Sequence, residues 1–127
     1  MSTSQPASGP RPVGPYTPIV PAGDWRICSG QVGLRDGQLL EGVAAQTAQC
    51  IANVRTLLEG AGARLDDVVK TTVFMTDIND YATVNEAYVA AFGDHRPARS
   101  AVAVAGLPLG ALVEVEAWAY VGSGPAA

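Results

Sequence analysis

An arginine and a pair of glutamates are the side chains best suited to chemistry in this sequence. Arg99 begins a β-branched stretch in Pro97-Ala98-Arg99-Ser100, and strand alternation places it on one face with the small alanines that follow. A guanidinium there can hold a carboxylate through two parallel hydrogen bonds, and small neighbours leave room for the ligand. The alternative is a surface arginine at a strand end, or an ion-pair partner of Glu114 or Glu116.

Glu114 and Glu116 lie two residues apart in an alternating apolar stretch, so they share one strand face at a spacing of about 7 Å. In a partly dry environment two such carboxyl groups can differ in pKa, so that one donates a proton while the other stays ionised. Ion pairing with Arg96, Arg99 or a neighbouring chain is the alternative, and the residues alone favour neither.

Further candidates surround a possible ligand site. Asn85 lies on an apolar helical stripe, where a buried amide must find partners, so it either positions a loop or faces a ligand. Ser29-Gly30-Gln31 ends a predicted strand, and Gly14-Pro15-Tyr16 precedes the first strand and sets the angle of its tyrosine. Ser29 is not predicted to be a triad nucleophile, because His95 is the only histidine and no Gly-x-Ser-x-Gly elbow is present.

Composition excludes several classes of function. The 127 residues are 48% apolar and 16% charged, which is typical of one globular domain. A net charge of −4 argues against a nucleic-acid surface, and RNA cleavage with it. One histidine and two cysteines exclude a zinc-finger array, a His-rich metal site and a disulfide scaffold, and we interpret Cys28 and Cys50 as core residues. No apolar run approaches the ~20 residues needed to cross a bilayer, so we expect no membrane partner.

The elements that position these residues are predicted from hydrophobic periodicity. Apolar spacings of three and four predict helices over 43–61 and about 79–92, the second capped by Asp77 or Asn79. The polar residues Gln46, Gln49, Asn53 and Arg55 fall largely off the first stripe. Short β-branched segments predict six strands, with Asp36-Gly37 as a hairpin turn: 17–20, 25–29, 39–40, 68–76, 99–105 and 112–121. This order predicts an α+β fold, a two-layer sandwich with two helices on one face of a mixed six-stranded sheet.

The last predicted strand indicates an oligomer. One face carries only valine and alanine, which suits packing under the helices, whereas the other carries Leu112, Glu114, Glu116, Trp118 and Tyr120. A solvated face would rarely hold two large aromatic residues, and a buried face would rarely hold two carboxylates. A half-buried face shared with another copy reconciles both, so we predict a homo-oligomer.

The ends of the chain differ from the rest. Residues 1–13 are polar and rich in proline and are expected to form a flexible arm, followed by a single domain over 14–122 and a tail over 123–127. The arm lacks the apolar stretch of a secretory signal, so a cytoplasmic location is expected.

Taken together, these segments resemble the reactive intermediate deaminase family, also called RidA or YjgF. The resemblance spans Gly14 to Val121. Its marks are Gly14-Pro15-Tyr16, Ser29-Gly30-Gln31, Val69-Lys70-Thr71-Thr72-Val73-Phe74, Tyr81-x-x-x-Asn85-x-x-Tyr88, Pro97-Ala98-Arg99-Ser100 and Val113-Glu114-Val115-Glu116-Ala117. Each motif alone is weak, and their joint order at nearly the family spacing is strong.

The resemblance implies a chorismate-mutase-like fold, a homotrimer and three clefts between subunits. It also implies 2-iminobutanoate/2-iminopropanoate deaminase activity, the hydrolysis of enamines and imines such as 2-aminoacrylate to 2-keto acids and ammonia. Pyridoxal-phosphate dehydratases release those species. No metal and no organic cofactor is implied.

Site residues carry over position by position from the resemblance. Arg99 would clamp the substrate carboxylate, Glu114 would hold or activate water, and Tyr16 and Ser29 would assist orientation or proton transfer. Asn85 would support the pocket, and Gly30 would let backbone approach the ligand. Two features depart from the family pattern: residues 93–96 form a short loop, and Ala101 replaces a frequent cysteine. The alternative to an enzyme is a non-catalytic module that binds 2-keto acids in the same cleft.

Overall fold

Two helices pack against one face of a five-stranded sheet in the computed structural model, which describes residues 11–122 of the chain. The elements are β1 (Ile19–Ala22), β2 (Trp25–Val32), β3 (Leu34–Arg35), β4 (Gln38–Leu39), α1 (Val43–Gly60), β5 (Val68–Met75), α2 (Tyr81–Phe92), β6 (Ala98–Ala103) and β7 (Val113–Tyr120). The predicted α+β class is therefore confirmed. The predicted arm over residues 1–13 lies mostly outside the described residues, and the predicted tail over 123–127 lies wholly outside them.

The sheet has the order β1-β2-β7-β5-β6. Only β5 and β6 pair in parallel and the other pairs are antiparallel, which makes the sheet mixed, as predicted. The prediction of six strands in this sheet is wrong, because β3 and β4 form a separate ribbon. β2 is already paired with β1 on one side and β7 on the other, so it offers the ribbon no free edge. The turn at Asp36-Gly37 is confirmed, with φ of 53° and 78°.

Helix α1 begins at Val43, as predicted, and buries an apolar stripe that includes Ile51, Val54 and Leu58. The prediction that its amides lie off this stripe is wrong for two of them, because Gln46 and Asn53 are buried. Both are tolerated there because their side chains bond to backbone groups of neighbouring loops and strands. Among residues 11–122, no helix combines the length and the apolar character needed to cross a lipid bilayer.

Helix α2 begins at Tyr81, two residues later than predicted, because a 3₁₀ turn over Ile78–Asp80 precedes it. The Asp77 carboxylate accepts a bond from Asn79 N at 2.9 Å, so it caps this turn and not the α-helix. The helix is tied to the sheet by a buried bond of 2.7 Å between the hydroxyl groups of Tyr88 and Thr71.

Strand β7 alternates as the sequence predicts. Val113, Val115, Ala117 and Ala119 are at most 1% exposed beneath the helices. The opposite face of the sheet carries no helix, and there Trp118 and Tyr120 are about 40% exposed beside Trp25. We call this second side of the sheet the open face. Its half-exposed aromatic residues match the sequence pattern that indicated a shared surface.

Candidate active site

A β-bulge in β2 brings the chain backbone against a carboxyl group. The register between β2 and β7 shifts between Cys28 and Gln31, so Gly30 lies at the irregularity. A Cβ atom at position 30 would lie only 2.7 Å from Cδ of Glu114. A Cβ atom there would displace the Glu114 carboxyl group, so glycine at the bulge is what allows this group to lie over the backbone. The strand continues to Val32, so the prediction that it ends at Ser29-Gly30-Gln31 is wrong.

Ser29 and Tyr16 flank this carboxyl group. Ser29 Oγ donates to the backbone oxygen of Thr17 at 2.7 Å, and Ser29 N donates to Pro18 O at 2.8 Å, which fixes the bulge against the segment before β1. The Tyr16 hydroxyl accepts a bond from Val13 N at 3.3 Å, and its ring is 40% exposed. The serine hydroxyl has its partner in the backbone, in keeping with the absence of a triad.

These residues line one cavity of about 230 Å³. Of the predicted site residues, Tyr16, Ser29, Gly30 and Glu114 all contribute to its wall. The rest of the wall comes from the segment before β1, the end of β2, strand β3, helix α1 and the loop before β7: Arg11, Val13, Gln31, Val32, Leu34, Asn53 and Pro108. The structure thus brings four of the six predicted residues together in a space large enough for a small organic acid.

The environment of Glu114 raises the pKa of its carboxyl group. The larger cause is burial, which disfavours the ionised form, and the second is the negative charge of Glu116 on the same strand face. A carboxyl group with a raised pKa exchanges protons closer to neutral pH than an ordinary glutamate, and this property suits acid–base catalysis.

Arg99 lies elsewhere in the single chain. Its guanidinium carbon is 4.9 Å from the centre of the Tyr88 ring, and its Nη2 donates to the Tyr81 hydroxyl at 3.2 Å. These tyrosines belong to α2, and Arg99 pairs in register with buried Thr71, so it lies on the helix-covered side of the sheet. Ala101 and Ala103 share this face, as predicted, but the sequence did not predict that the rings of Tyr81 and Tyr88 would lie against the guanidinium.

Asn85 belongs with Arg99 and not with the cavity. It lies on α2 between the two tyrosines that contact Arg99, and the structure does not place it among the residues that line the Glu114 cavity. Its Oδ1 atom is buried without a hydrogen-bond partner in the described part of the chain. A buried amide oxygen without a partner is costly, so this atom is available to a donor from outside the chain.

Glu114 and Arg99 lie on opposite faces of one sheet. Glu114 pairs with Phe74, Phe74 pairs with Val102, and neighbours in register share a face, so these three residues lie on the open face. Arg99 lies three residues earlier in β6 and projects to the other face. The Cα atoms of Glu114 and Arg99 are about 14 Å apart, because they are two strands apart across the sheet and three residues apart along the strand direction.

The sequence reasoning missed two amides that shape the cavity. Asn53 donates from Nδ2 to Val32 O at 3.1 Å and to Leu34 O at 3.0 Å, so it fastens the end of β2 to α1. Gln31 is buried and donates to Ser29 O at 3.2 Å across the bulge. The only sequence signal for Asn53 is its i and i+7 spacing from Gln46 on one helix face, which the apolar pattern obscured.

The two cysteines are buried in the core, as predicted, and His95 and Lys70 make hydrogen bonds away from the Glu114 cavity. Burial raises the pKa of the Cys28 thiol to about 12 and that of Cys50 further, so neither is a ready nucleophile. His95 Nε2 lies 2.7 Å from Val68 O, and Lys70 Nζ donates to Ser100 Oγ at 2.8 Å. Among residues 11–122 no three His, Cys, Asp or Glu side chains are grouped so as to hold a metal ion.

Comparison with known proteins identifies the family of this chain. Residues 6–121 match the family described as Endoribonuclease L-PSP. The chain is 44% identical over 115 residues to the 2-iminobutanoate/2-iminopropanoate deaminase of Escherichia coli, a match that covers 87% of this chain and 90% of that protein. The crystal structure of the Escherichia coli YjgF gene product matches with a TM-score of 0.87 at 42% identity, over 94% of this chain and 98% of that one. That of Escherichia coli TdcF with bound serine matches with a TM-score of 0.86 at 36% identity, over 95% and 97% of the two chains. The sequence motifs, the fold and these matches together establish that the chain belongs to the RidA/YjgF family.

Proposed function

We propose that this protein hydrolyses 2-imino acids and their enamine tautomers, such as 2-iminopropanoate and 2-aminoacrylate, to 2-keto acids and ammonia. The observation that carries the proposal is the half-buried Glu114 carboxyl group, held over the backbone of Gly30 in a cavity that Ser29 and Tyr16 also line. The Escherichia coli relative is named for this class of reaction, which supports the proposal. The serine bound in the crystal structure of TdcF supports a small amino-acid-like ligand.

The reaction needs one water molecule and a proton carrier. Once the imine nitrogen is protonated, the oxygen of water attacks the carbon, a C–O bond forms, and the π electron pair of C=N moves to nitrogen. Ionised Glu114 accepts the proton released by water. It then returns that proton to the nitrogen of the carbinolamine and becomes ionised again. The C–N bond breaks, ammonia leaves, and the hydroxyl group gives its proton to the Glu114 carboxylate as the C=O bond forms. A carboxyl group with a raised pKa serves both directions of transfer and contributes about 10²–10⁴-fold.

The carboxylate of the substrate requires a cation, and we assign this role to Arg99 of a neighbouring copy. Within one chain the Cα atoms of Arg99 and Glu114 lie about 14 Å apart, and the two side chains point to opposite faces of the sheet. One molecule of about six non-hydrogen atoms therefore cannot contact both side chains. A second copy on the open face would bring its own Arg99 to the cavity, and its Asn85 would approach with it to support the pocket. The proposal therefore includes a homotrimer with three clefts between subunits.

The test uses 2-aminoacrylate made in situ by a pyridoxal-phosphate-dependent serine dehydratase. We expect the protein to accelerate the early release of pyruvate and ammonia beyond the rate in buffer. Glu114→Gln removes the proton carrier, and we expect a loss of about 10²–10⁴-fold. Arg99→Ala removes the clamp, with an expected loss of about 10²-fold or more from misplacement of the substrate.

Arg55→Ala is the matched control, because Arg55 forms an exposed ion pair with Glu59 on α1, away from the Glu114 cavity. Saturable binding of 2-oxobutanoate without any acceleration would refute turnover and would favour the non-catalytic binding module instead. Full activity in Arg99→Ala would refute the clamp.

A further inference from the structure

A second cavity of about 630 Å³ adjoins the Glu114 cavity. The two share four lining residues, Arg11, Val13, Leu34 and Asn53, so they form neighbouring chambers with a common wall. The second chamber extends away from Glu114, Ser29 and Tyr16, which line only the first. The first chamber therefore has a larger neighbouring chamber on the side of Arg11, Val13, Leu34 and Asn53.

The second chamber carries an excess of positive charge. Arg11 and Arg35 line it against a single acid, Asp36, and the polar side chains Gln49 and Thr56 complete its polar wall. Among residues 11–122 the ion pair between Arg55 and Glu59 is the only one, so neither lining arginine is neutralised by a carboxylate of the described chain. A guanidinium in a concave site is suited to bind a carboxylate through two parallel bonds.

Arg11 connects the two chambers because it lines both. The smallest 2-imino acid, with about six non-hydrogen atoms, occupies roughly the volume of four water molecules, ~120 Å³. The first chamber of about 230 Å³ already holds such a molecule. The second chamber and its cations are therefore superfluous for a substrate with a methyl or ethyl side chain, and they fit a longer one that ends in an anion.

We infer that Arg11 is a specificity-determining residue that binds an acidic side chain of the substrate, so that this protein accepts 2-imino dicarboxylates as well as short apolar imines. The inference rests on the proposed function, since it places the reacting carbon beside Glu114 in the first chamber. The α-carboxylate is held by the assigned clamp, and the side-chain carboxylate binds the Arg11 guanidinium at the wall that the two chambers share. Arg35 lies farther along the second chamber and adds positive potential.

The test compares two imines made in situ by amino acid oxidases, one from glutamate and one from 2-aminobutanoate. Arg11→Gln is expected to lower the kcat/KM ratio of the dicarboxylate to the apolar imine by about tenfold, mainly through KM. Arg11→Lys keeps the charge and is expected to restore part of the ratio. Arg64→Gln is the matched control, because Arg64 lines neither chamber. We expect this variant to keep the wild-type kcat/KM for both imines.

A binding measurement separates this inference from the proposed function. Calorimetry with the product analogues 2-oxoglutarate and 2-oxobutanoate needs no turnover. We expect Arg11→Gln to lower the affinity for 2-oxoglutarate about tenfold relative to the affinity for 2-oxobutanoate. An unchanged affinity ratio in Arg11→Gln would overturn the role of Arg11 even if both imines are hydrolysed. An altered ratio in a protein without any hydrolysis would support Arg11 and overturn the proposed reaction.

Discussion

Two inactive variants of this protein are expected to restore activity when they are mixed. Glu114→Gln lacks the proton carrier and Arg99→Ala lacks the clamp, yet each retains the residue that the other has lost. Because the two positions lie on opposite faces of one sheet, about 14 Å apart at Cα, a single chain cannot present both to one small molecule. In the proposed assembly, an active site forms only where intact Glu114 of one copy meets intact Arg99 of another.

The fraction of activity that a mixture recovers follows from the number of interfaces at which the two variants meet in the productive order. In a random mixture, a site is active when the copy that supplies the carboxyl group is Arg99→Ala and the copy that supplies the arginine is Glu114→Gln. The active fraction is p(1−p), where p is the fraction of one variant, so an equal mixture recovers about one quarter of the wild-type sites. The same fraction applies to any closed ring with one site per interface, so the result does not depend on the number of subunits.

The assay mixes the two variants at several ratios under conditions that allow subunit exchange, and then measures early pyruvate release from 2-aminoacrylate. Different affinity tags on the two variants verify that mixed oligomers have formed. A parabolic dependence on the ratio, with its maximum at equal amounts, is expected. Activity that stays at the weighted mean of the parents, in samples where mixed oligomers are present, would refute the assignment of Arg99 to a neighbouring copy.

Three further results are expected. Gly30→Ala pushes a methyl group against the Glu114 carboxyl group and should cost about 10²-fold in kcat/KM, whereas Gly106→Ala meets no atom within 4 Å and should leave it unchanged. In the proposed mechanism the ionised Glu114 is the base, and its pKa is raised above the ordinary 4.5, so kcat/KM should fall as pH drops through that raised value. Glu116→Gln removes the second cause, and the midpoint of this acid limb should then move downward toward 4.5. Tyr88→Phe leaves a buried threonine hydroxyl of β5 without its partner, and thermal denaturation should show a loss of about 1–2 kcal/mol, roughly 4–8 °C in Tm. An unchanged Tm would show that the hydrogen bond between Tyr88 and Thr71 does not stabilise the fold.

Local patterns predicted the elements of this fold well where one face is clearly buried. The alternation in β7 is visible in the sequence because each valine or alanine that points to the helices is followed by a polar or aromatic residue. Helix α1 was predicted from Val43 to within a residue of its end at Gly60 for the same reason, since an apolar stripe has only one side to bury.

The sequence could not reveal relations that depend on pairing between strands. The bulge at Gly30 exists only relative to β7, so nothing in the residues of β2 alone marks it. Leu39 and Leu40 have strand character, but joining the sheet beside β2 would require an unpaired edge of that strand. Both edges of β2 are already paired, one with β1 and the other with β7. The alternation of side chains along the strand placed Arg99 on a face with small residues. It contained no information that α2 would cover that face with two tyrosine rings.

Buried amides were the other source of error. Gln46 and Asn53 were assigned to the solvent side of α1 because polar residues usually lie there. Their position is explained by backbone groups that no strand partner satisfies: Gln46 accepts from Leu112 N at 2.8 Å and donates to Leu40 O at 2.8 Å. Such amides replace ladder hydrogen bonds at places where strands end, which is where a cavity can form.

The proposed assembly would link oligomerisation to catalysis through the open face. Glu114 lies on it with Trp118 and Tyr120, and burial is the larger cause of the raised pKa of its carboxyl group. Covering the exposed aromatic rings with another copy would remove more water and, taken alone, would raise that pKa further. The Arg99 guanidinium that we assign to the same contact acts in the opposite direction, since a nearby cation favours the ionised base. The proposed contact would therefore change the proton affinity of Glu114 in both directions, and a variant that weakens the contact should lose activity before it loses its fold.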